Sequence, residues 1–238
     1  MSGIKGSRTS KHAANTDDDA PRTINRPAAL VDEVYDAILD RIMALKIQPG
    51  AKITVDNLAR ELGVSQTPIR EALSRLEAEG LVLKAHLVGY SAASQLSKEQ
   101  VEHLFEARLL LEPAVAAKAA ARITQAEMDI LRALHADMVS LRDNQFPAYG
   151  QFARKDAEFH QVISTAGGNS LLVDTLARLH SHVHIFRLVF HTRVTSEAIA
   201  EHADILTALV AHDGPASEKA MRAHILASRN RILTLVST

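Results

Sequence analysis

The chain has no cysteine and no tryptophan among its 238 residues. The first absence excludes disulfides, zinc–thiolate sites and thiol redox sensing, and it fits a cytoplasmic protein. Aromatic residues make up only 4% of the sequence, so the core must be aliphatic, built from Leu, Ile, Val and Ala. Glycine and proline are scarce as well, at ten and seven, while apolar residues reach 47%. That composition predicts a mainly helical protein. No run of about 18 apolar residues occurs, so no transmembrane helix and no membrane partner are expected. The first residues lack the apolar stretch of a secretory signal. Neither sign of charge is in excess: 27 Lys and Arg face 28 Asp and Glu, a net charge of −1. Residues 1–93 carry 12 basic and 12 acidic side chains and residues 94–238 carry 15 and 16, so neither half is basic enough to advertise a polyanionic partner. Histidine is plentiful instead. There are twelve, ten of them after residue 94, and that asymmetry points to chemistry in the second half.

In chain order, residues 1–27 are rich in Ser, Thr, Lys, Arg, Asp and Ala without an apolar period, and read as a disordered tail. Leu30, Val34, Ile38, Ile42 and Leu45 then mark an amphipathic helix over 30–46, followed by a turn at Pro49-Gly50. Val55, Leu58, Ala59 and Leu62 recur at helical spacing, and Gly63 supplies a left-handed stop. Ser65 or Gln66 opens the next turn, and Pro68 suits the first turn of a new helix, where its missing N–H costs little. Ile69, Leu73 and Leu76 line one face of that helix until Gly80 ends it. Two short helices joined by a glycine turn form a helix-turn-helix. The opposite face shows Gln66, Thr67, Arg70 and Ser74, side chains able to bond base edges and phosphates. Two short β-prone runs, 81–84 and 88–91, flank Ala85-His86-Leu87 and read as a two-stranded wing. Residues 28–93 are therefore expected to be a winged helix-turn-helix; the alternative is an ordinary three-helix domain with a surface hairpin. On the winged reading Ser65, Gln66, Thr67 and Arg70 enter the major groove of double-stranded DNA, while Lys84, His86 and Gly89 set the wing on the backbone or minor groove. Local basic residues, hydroxyls and backbone N–H groups would supply phosphate contacts despite the neutral overall charge.

After a linker over 92–96, the second half reads as helices only. Capping boxes at Ser97–Gln100 and Thr124–Glu127 start helices running to about Arg122 and Asp143. A third spans 146–166 and stops at Gly167-Gly168, and a fourth runs from Asn169 or Ser170 to about His191. A fifth starts at Ser196 and a last at Pro215. Residues 97–238 are thus expected to be an all-helical bundle of six or seven helices. On its third helix Asp156 and His160 lie four apart, on one face. His202 and His224 fall on the fifth and sixth. A bundle can gather such side chains around an interior site, and one carboxylate with three neutral imidazoles suits a divalent ion such as Zn, Ni or Mn. Spacing alone leaves open the alternative of core and surface histidines with no metal.

Two sets of residues then carry a family resemblance. Pro49-Gly50, Leu58-Ala59, Gly63-Val64-Ser65, Thr67-Pro68, Arg70-Glu71-Ala72-Leu73, Leu76 and Glu79-Gly80-Leu81-Val82 resemble the DNA-binding domain of GntR-family transcription regulators. Arg108 with Glu112, Asp156 to His160, Gly168-Asn169, Glu201-His202 and Ala223-His224 resemble the FadR-type C-terminal domain, FCD. One departure is Gln66, where many members have Arg; Gln favours adenine and Arg guanine, so the operator would differ at one base pair per half-site. The resemblance implies a homodimer on a palindromic operator, acting more often as repressor than activator. It implies a metal on Asp156, His160, His202 and His224, with a small organic acid effector beside it.

For the effector, Arg108 presents a planar fork suited to a carboxylate, or else forms an ion pair with Glu112 or Glu106. His180, His184, Arg187 and His191 follow helical spacing along the fourth helix and line the pocket, supply a replacement ligand, or form a solvated or dimer face. Asn169 matches a family position, although a helix cap explains it. Other functions stay open: a regulator for which the metal is itself the signal, or a metal-dependent hydrolase using Asp and three His to activate water. Against the enzyme, no His-Glu-x-x-His motif and no separate general base are evident.

Overall fold

Apolar spacing dictates the first helix. Val34, Ile38 and Ile42 repeat every four residues, and all three are buried in the computed structural model, which describes residues 28–85, 88–141, 148–188 and 195–236. The expected tail over 1–27 lies outside the described residues, as do His86 of the wing and His191. The N-terminal half comprises α1 (Ala28–Met43), β1 (Lys52–Ile53), α2 (Val55–Leu62), α3 (Gln66–Ala78), β2 (Val82–Ala85) and β3 (Gly89–Ala92). Gly63 ends α2 at φ 67, a left-handed conformation in which its N–H reaches Ala59 O. Ile69, Leu73 and Leu76 of α3 pack with α1 and with Leu81, Val82 and Tyr90 into one core. Each such large apolar side chain contributes about 1.5–3 kcal/mol on burial.

The wing has three strands rather than two. β3 pairs antiparallel with β2, Lys84 opposite Tyr90, and on its other edge with β1, Ile53 opposite Tyr90. A strand of two residues is too short to show a period-two pattern, and burial of Ile53 is what fixes it.

The second half holds seven helices among the described residues: α4 (Lys98–Ala120), α5 (Gln125–Leu141), α6 (Ala148–Ala166), α7 (Ser170–Arg178), α8 (Ser181–Leu188), α9 (Thr195–Val210) and α10 (Gly214–Val236). Both capping boxes form. Ser97 Oγ accepts from Gln100 N, and the Gln100 side chain accepts from Ser97 N. Glu127 accepts from Thr124 N while Thr124 Oγ1 accepts from Glu127 N. Pro113 sits inside α4 and cannot donate to Leu109 O; Arg222 of α10 approaches that carbonyl at 3.5 Å.

One expectation needs correction. The fourth helix is not continuous to His191. It breaks after Leu179, where His180 takes φ 45, and restarts as α8 at Ser181. Neither glycine nor proline marks the break in sequence. It turns Ser181 and His182 toward the cavity described below.

The two halves meet along α1. Asp36 of α1 pairs with Arg154 of α6, Gln95 of the linker donates to Arg187 O of α8 at 3.2 Å, and the His184 ring packs over Gly80.

Candidate metal centre and DNA-binding surface

At the recognition helix, Ser65 is the N-cap of α3 and Gln66, Thr67 and Arg70 are exposed, as are Lys84 and Gly89 in the wing. These six of the seven expected contact residues are therefore open to solvent. They are not free of each other. Gln66 Nε2 donates to Asp56 Oδ1 at 2.5 Å, and Arg70 Nη2 donates to Gln66 Oε1 at 3.1 Å. Lys84 Nζ lies 5.6 Å from the centre of the Tyr90 ring.

In the helical bundle, Asp156 and His160 stand one turn apart on α6, with His202 arriving from α9 and His224 from α10; all four are buried. One ring nitrogen from each of His160, His202 and His224 lies within 4.8 Å of the other two. Their ring centres are 5.5, 5.2 and 4.7 Å apart. Asp156 Oδ1 is 3.3 Å from His202 Nε2, so the carboxylate touches the same group.

Two carboxylates orient the rings. Glu112 of α4 accepts from His160 Nδ1 at 2.7 Å, and Glu201 accepts from His224 Nδ1 at 2.8 Å. Both carboxyls are held below the usual range: burial alone would raise them, but Arg108 and His160 overcome it at Glu112, and Arg231 and His224 at Glu201. Ionised carboxylates only accept, so each Nδ1 carries the proton and each Nε2 keeps a lone pair. His160 Nε2 and both nitrogens of His202 are buried without a hydrogen-bond partner. Buried polar atoms are rarely left so. Burial also pushes the His160, His202 and His224 rings below their ordinary range, toward the neutral form that binds metals. Asp156 moves the other way from what burial alone would do, because His182 and His202 favour its ionised form. Three neutral imidazoles, with the Nε2 lone pairs of His160 and His224 left by their Nδ1 hydrogen bonds, and one carboxylate are a donor set that fits a divalent transition ion.

His160 also faces a cavity of about 500 Å³ between the two halves of the chain. Glu112, His160 and His182 are among the side chains that line it. His182 was not singled out by spacing. Its Nδ1 donates to Asp156 Oδ2 at 2.5 Å and its ring centre is 4.4 Å from that of His160. One ligand atom from each of Glu112, His160 and His182 lies within 4.8 Å of the others. The only hint of it in sequence is its place in the His180-x-His182-x-His184 run, where helical spacing favours the wrong members.

The four expected effector residues are not gathered here. Arg108 is the ion-pair alternative: it is 2% exposed, with Nε 2.6 Å and Nη2 3.4 Å from the two Glu112 oxygens. Asn169 caps α7, its Oδ1 accepting from Leu171 N and Leu172 N, away from the cavity. His184 and Arg187 belong to the seam between the halves. Arg187 is buried, with Nη1 3.5 Å from Ser94 O and no hydrogen-bond partner for Nε or Nη2. The break at His180 explains their displacement, since it rotates α8 out of register with α7.

Comparison with known proteins agrees with the architecture. Residues 30–90 match the family described as "Bacterial regulatory proteins, gntR family", and residues 103–227 match the FCD domain. The "HTH-type transcriptional regulator LutR" of Bacillus subtilis is 31% identical over 209 residues, covering 76% of this chain and 90% of that protein. The "HTH-type transcriptional repressor RspR" of Escherichia coli is 27% identical over 205 residues, covering 85% and 88%. Among solved structures, E. coli McbR/YncC shares the fold at a TM-score of 0.67 and 22% identity, covering 88% of this chain and 99% of that one. With a helix-turn-helix at one end and an FCD domain at the other, the chain belongs to the GntR family and is a transcriptional regulator, not an enzyme.

Proposed function

We propose that the protein is a repressor that binds a palindromic operator as a homodimer and is controlled by a small organic acid held beside a divalent metal. The observation that carries this reading is the buried group of His160, His202 and His224 against Asp156, with ring nitrogens left without partners and His160 opening onto the cavity. Asp156, His160, His202 and His224 would hold the ion, which supplies a positive centre for an acid's carboxylate. The chain's own part is to keep the rings neutral and aimed. Burial keeps the rings neutral, while Glu112 and Glu201 aim His160 and His224 through the Nδ1 atoms, backed by Arg108 and Arg231. RspR is named as a repressor, which favours that direction of control. Ser65, Gln66, Thr67, Arg70, Lys84 and Gly89 are the proposed DNA contacts, joined by His86 outside the described residues.

A regulator needs two states that effector and operator favour differently. The cavity lies between the DNA-binding half and the bundle, so filling it bears on their arrangement. The test is metal content and operator affinity of the purified protein, with and without chelator, for the wild type and His202→Ala. The variant is expected to lose metal and the response to acids while the metal-free affinity for the operator stays close to wild type. Unchanged metal content in His202→Ala would sink the site. Chelation that alters operator binding with no acid present would favour the ion itself as the signal.

A further inference from the structure

Every imidazole of the buried group is held by a neighbour. Glu112 holds His160, Glu201 holds His224, and the His202 ring stacks on Phe159 with ring centres 4.6 Å apart. Asp156 needs a holder for a different reason. A carboxylate turns readily about its last bond, so one oxygen or both can face the imidazoles. His182 removes that freedom. Its Nδ1 donates to Asp156 Oδ2 at 2.5 Å, and Oδ1 is the oxygen 3.3 Å from His202 Nε2. The His182 side chain is only 13% exposed, so this bond to a charged group is largely shielded from water, where such bonds are strong. The break in the chain sets its place. His180 takes φ 45, Ser181 begins α8 and is buried, and α8 packs on α6, which carries Asp156. His182 is not one of the three clustered imidazoles; it groups with Glu112 and His160 instead. Its Nδ1 carries the proton given to Asp156 and has no lone pair to offer an ion.

Resting on the reading of Asp156, His160, His202 and His224 as a metal centre, we propose that His182 is its positioning residue: it ties down Asp156 Oδ2 and leaves Oδ1 as the single oxygen offered to an ion. The protein then supplies four donor atoms rather than five. Partners that orient a ligating group in this way set its direction and its basicity, and their loss weakens metal binding without removing a ligand. His182 therefore acts on the metal only through Asp156, which separates it from a ligand and from a residue that merely fills space.

The test is titration of the full-length protein, freed of metal by chelation, with cobalt(II), followed by visible absorption. The proteins compared are wild type, His182→Ala, His182→Asn, His182→Gln, Asp156→Ala and the double variant of Asp156→Ala with His182→Ala. His182→Ala is expected to bind cobalt about 10–100-fold more weakly than wild type, with weaker visible bands because the freed carboxylate brings a second oxygen. His182→Asn, whose amide donates from the place of Nδ1, should match wild type in affinity and bands. His182→Gln fills the space but donates from the place of Nε2; it should behave as His182→Ala does, and it stands in for that variant if alanine prevents folding. In the Asp156→Ala background, removing His182 should change affinity less than ~2-fold, since no carboxylate remains to be held. A full loss in that background makes the His182 ring a ligand and refutes the positioning role. Wild-type affinity and bands in both His182→Ala and His182→Gln refute any role at the centre. His182→Asn as weak as His182→Ala refutes the hydrogen bond as the cause. No cobalt uptake by wild type refutes the metal centre itself, an outcome distinct from the other three.

Discussion

Arg108→Ala separates two roles for the arginine. In the structure it lies wholly inside the bundle, paired with a carboxylate that is itself buried and that also holds His160. Removing the guanidinium leaves Glu112 with the His160 ring as its one remaining partner. Losing one member of a buried pair costs about 3–5 kcal/mol, since the other charge stays buried without compensation. At roughly 2–4 °C per kcal/mol for a chain of this size, the melting midpoint falls by about 6–20 °C. Thermal unfolding followed by circular dichroism, without metal or ligand, measures this. Removing both charges together, in Arg108→Met with Glu112→Leu, should cost less than the single change, although His160 Nδ1 then loses its acceptor at about 1–3 kcal/mol. A fork that instead reaches a ligand would behave the other way: Arg108→Ala would leave the ligand-free midpoint within about 2 °C of wild type and abolish acid binding. That result would refute the structural assignment.

Arg70→Ala should weaken operator binding by about 1–3 kcal/mol if Arg70 reads a base, and a mobility-shift titration showing equal loss on random DNA would make it a phosphate contact. Gly63→Ala forces a side chain into a conformation at φ 67 and should cost about 1–2 kcal/mol of stability; a variant as stable as wild type would contradict the left-handed turn. His184 is pushed down to about 4 by burial, with His180 and Arg187 adding to the effect, against an ordinary value of 6.5. Between those values the unfolded chain binds the extra proton, so acidification favours unfolding. Stability should fall as the pH drops from about 6.5 toward 4 and be insensitive to this residue above 6.5. Urea midpoints across that window should be less steep for His184→Gln, and identical slopes would argue against a buried neutral ring.

The sequence made the DNA-binding half legible because its signals are local. Gly63, Pro68 and the Ile69–Leu73–Leu76 stripe fix two helices and their turn with no help from distant residues, and the structure places them as read. The capping boxes at Ser97 and Thr124 were legible for the same reason. The four metal candidates come together across three helices; spacing put Asp156 and His160 on one face and left His202 and His224 as side chains a bundle could gather, and the family resemblance named all four as one site. What spacing could not show was any contact that depends on how helices pack. His182 comes into play only because the chain breaks at His180, where no glycine or proline announces it. The two-residue β1 is too short to leave a pattern. Arg108 had two readings in sequence, and its burial against Glu112 depends on packing that spacing does not show.

Gln66 shows how the structure alters a reading that the sequence had made from residue type alone. A glutamine at the head of a recognition helix suggests readout of adenine through its carboxamide. Here that carboxamide is already engaged, its nitrogen on Asp56 and its oxygen on Arg70. Both bonds are exposed, and neither resists displacement strongly, since contacts of this kind contribute roughly 0–1 kcal/mol. Their effect is directional. They link α2 to α3 and hold the Arg70 fork against the first turn of the helix before DNA arrives. Reading adenine would cost Gln66 both bonds and release Arg70, whereas keeping them leaves Arg70 aimed for a guanine and lets Gln66 act through it. Gln66→Ala distinguishes the two. Relaxed preference at a single adenine position would support direct readout by Gln66. Weakened discrimination at the position sensitive to Arg70, with no other base preference lost, would make Gln66 the residue that positions the arginine.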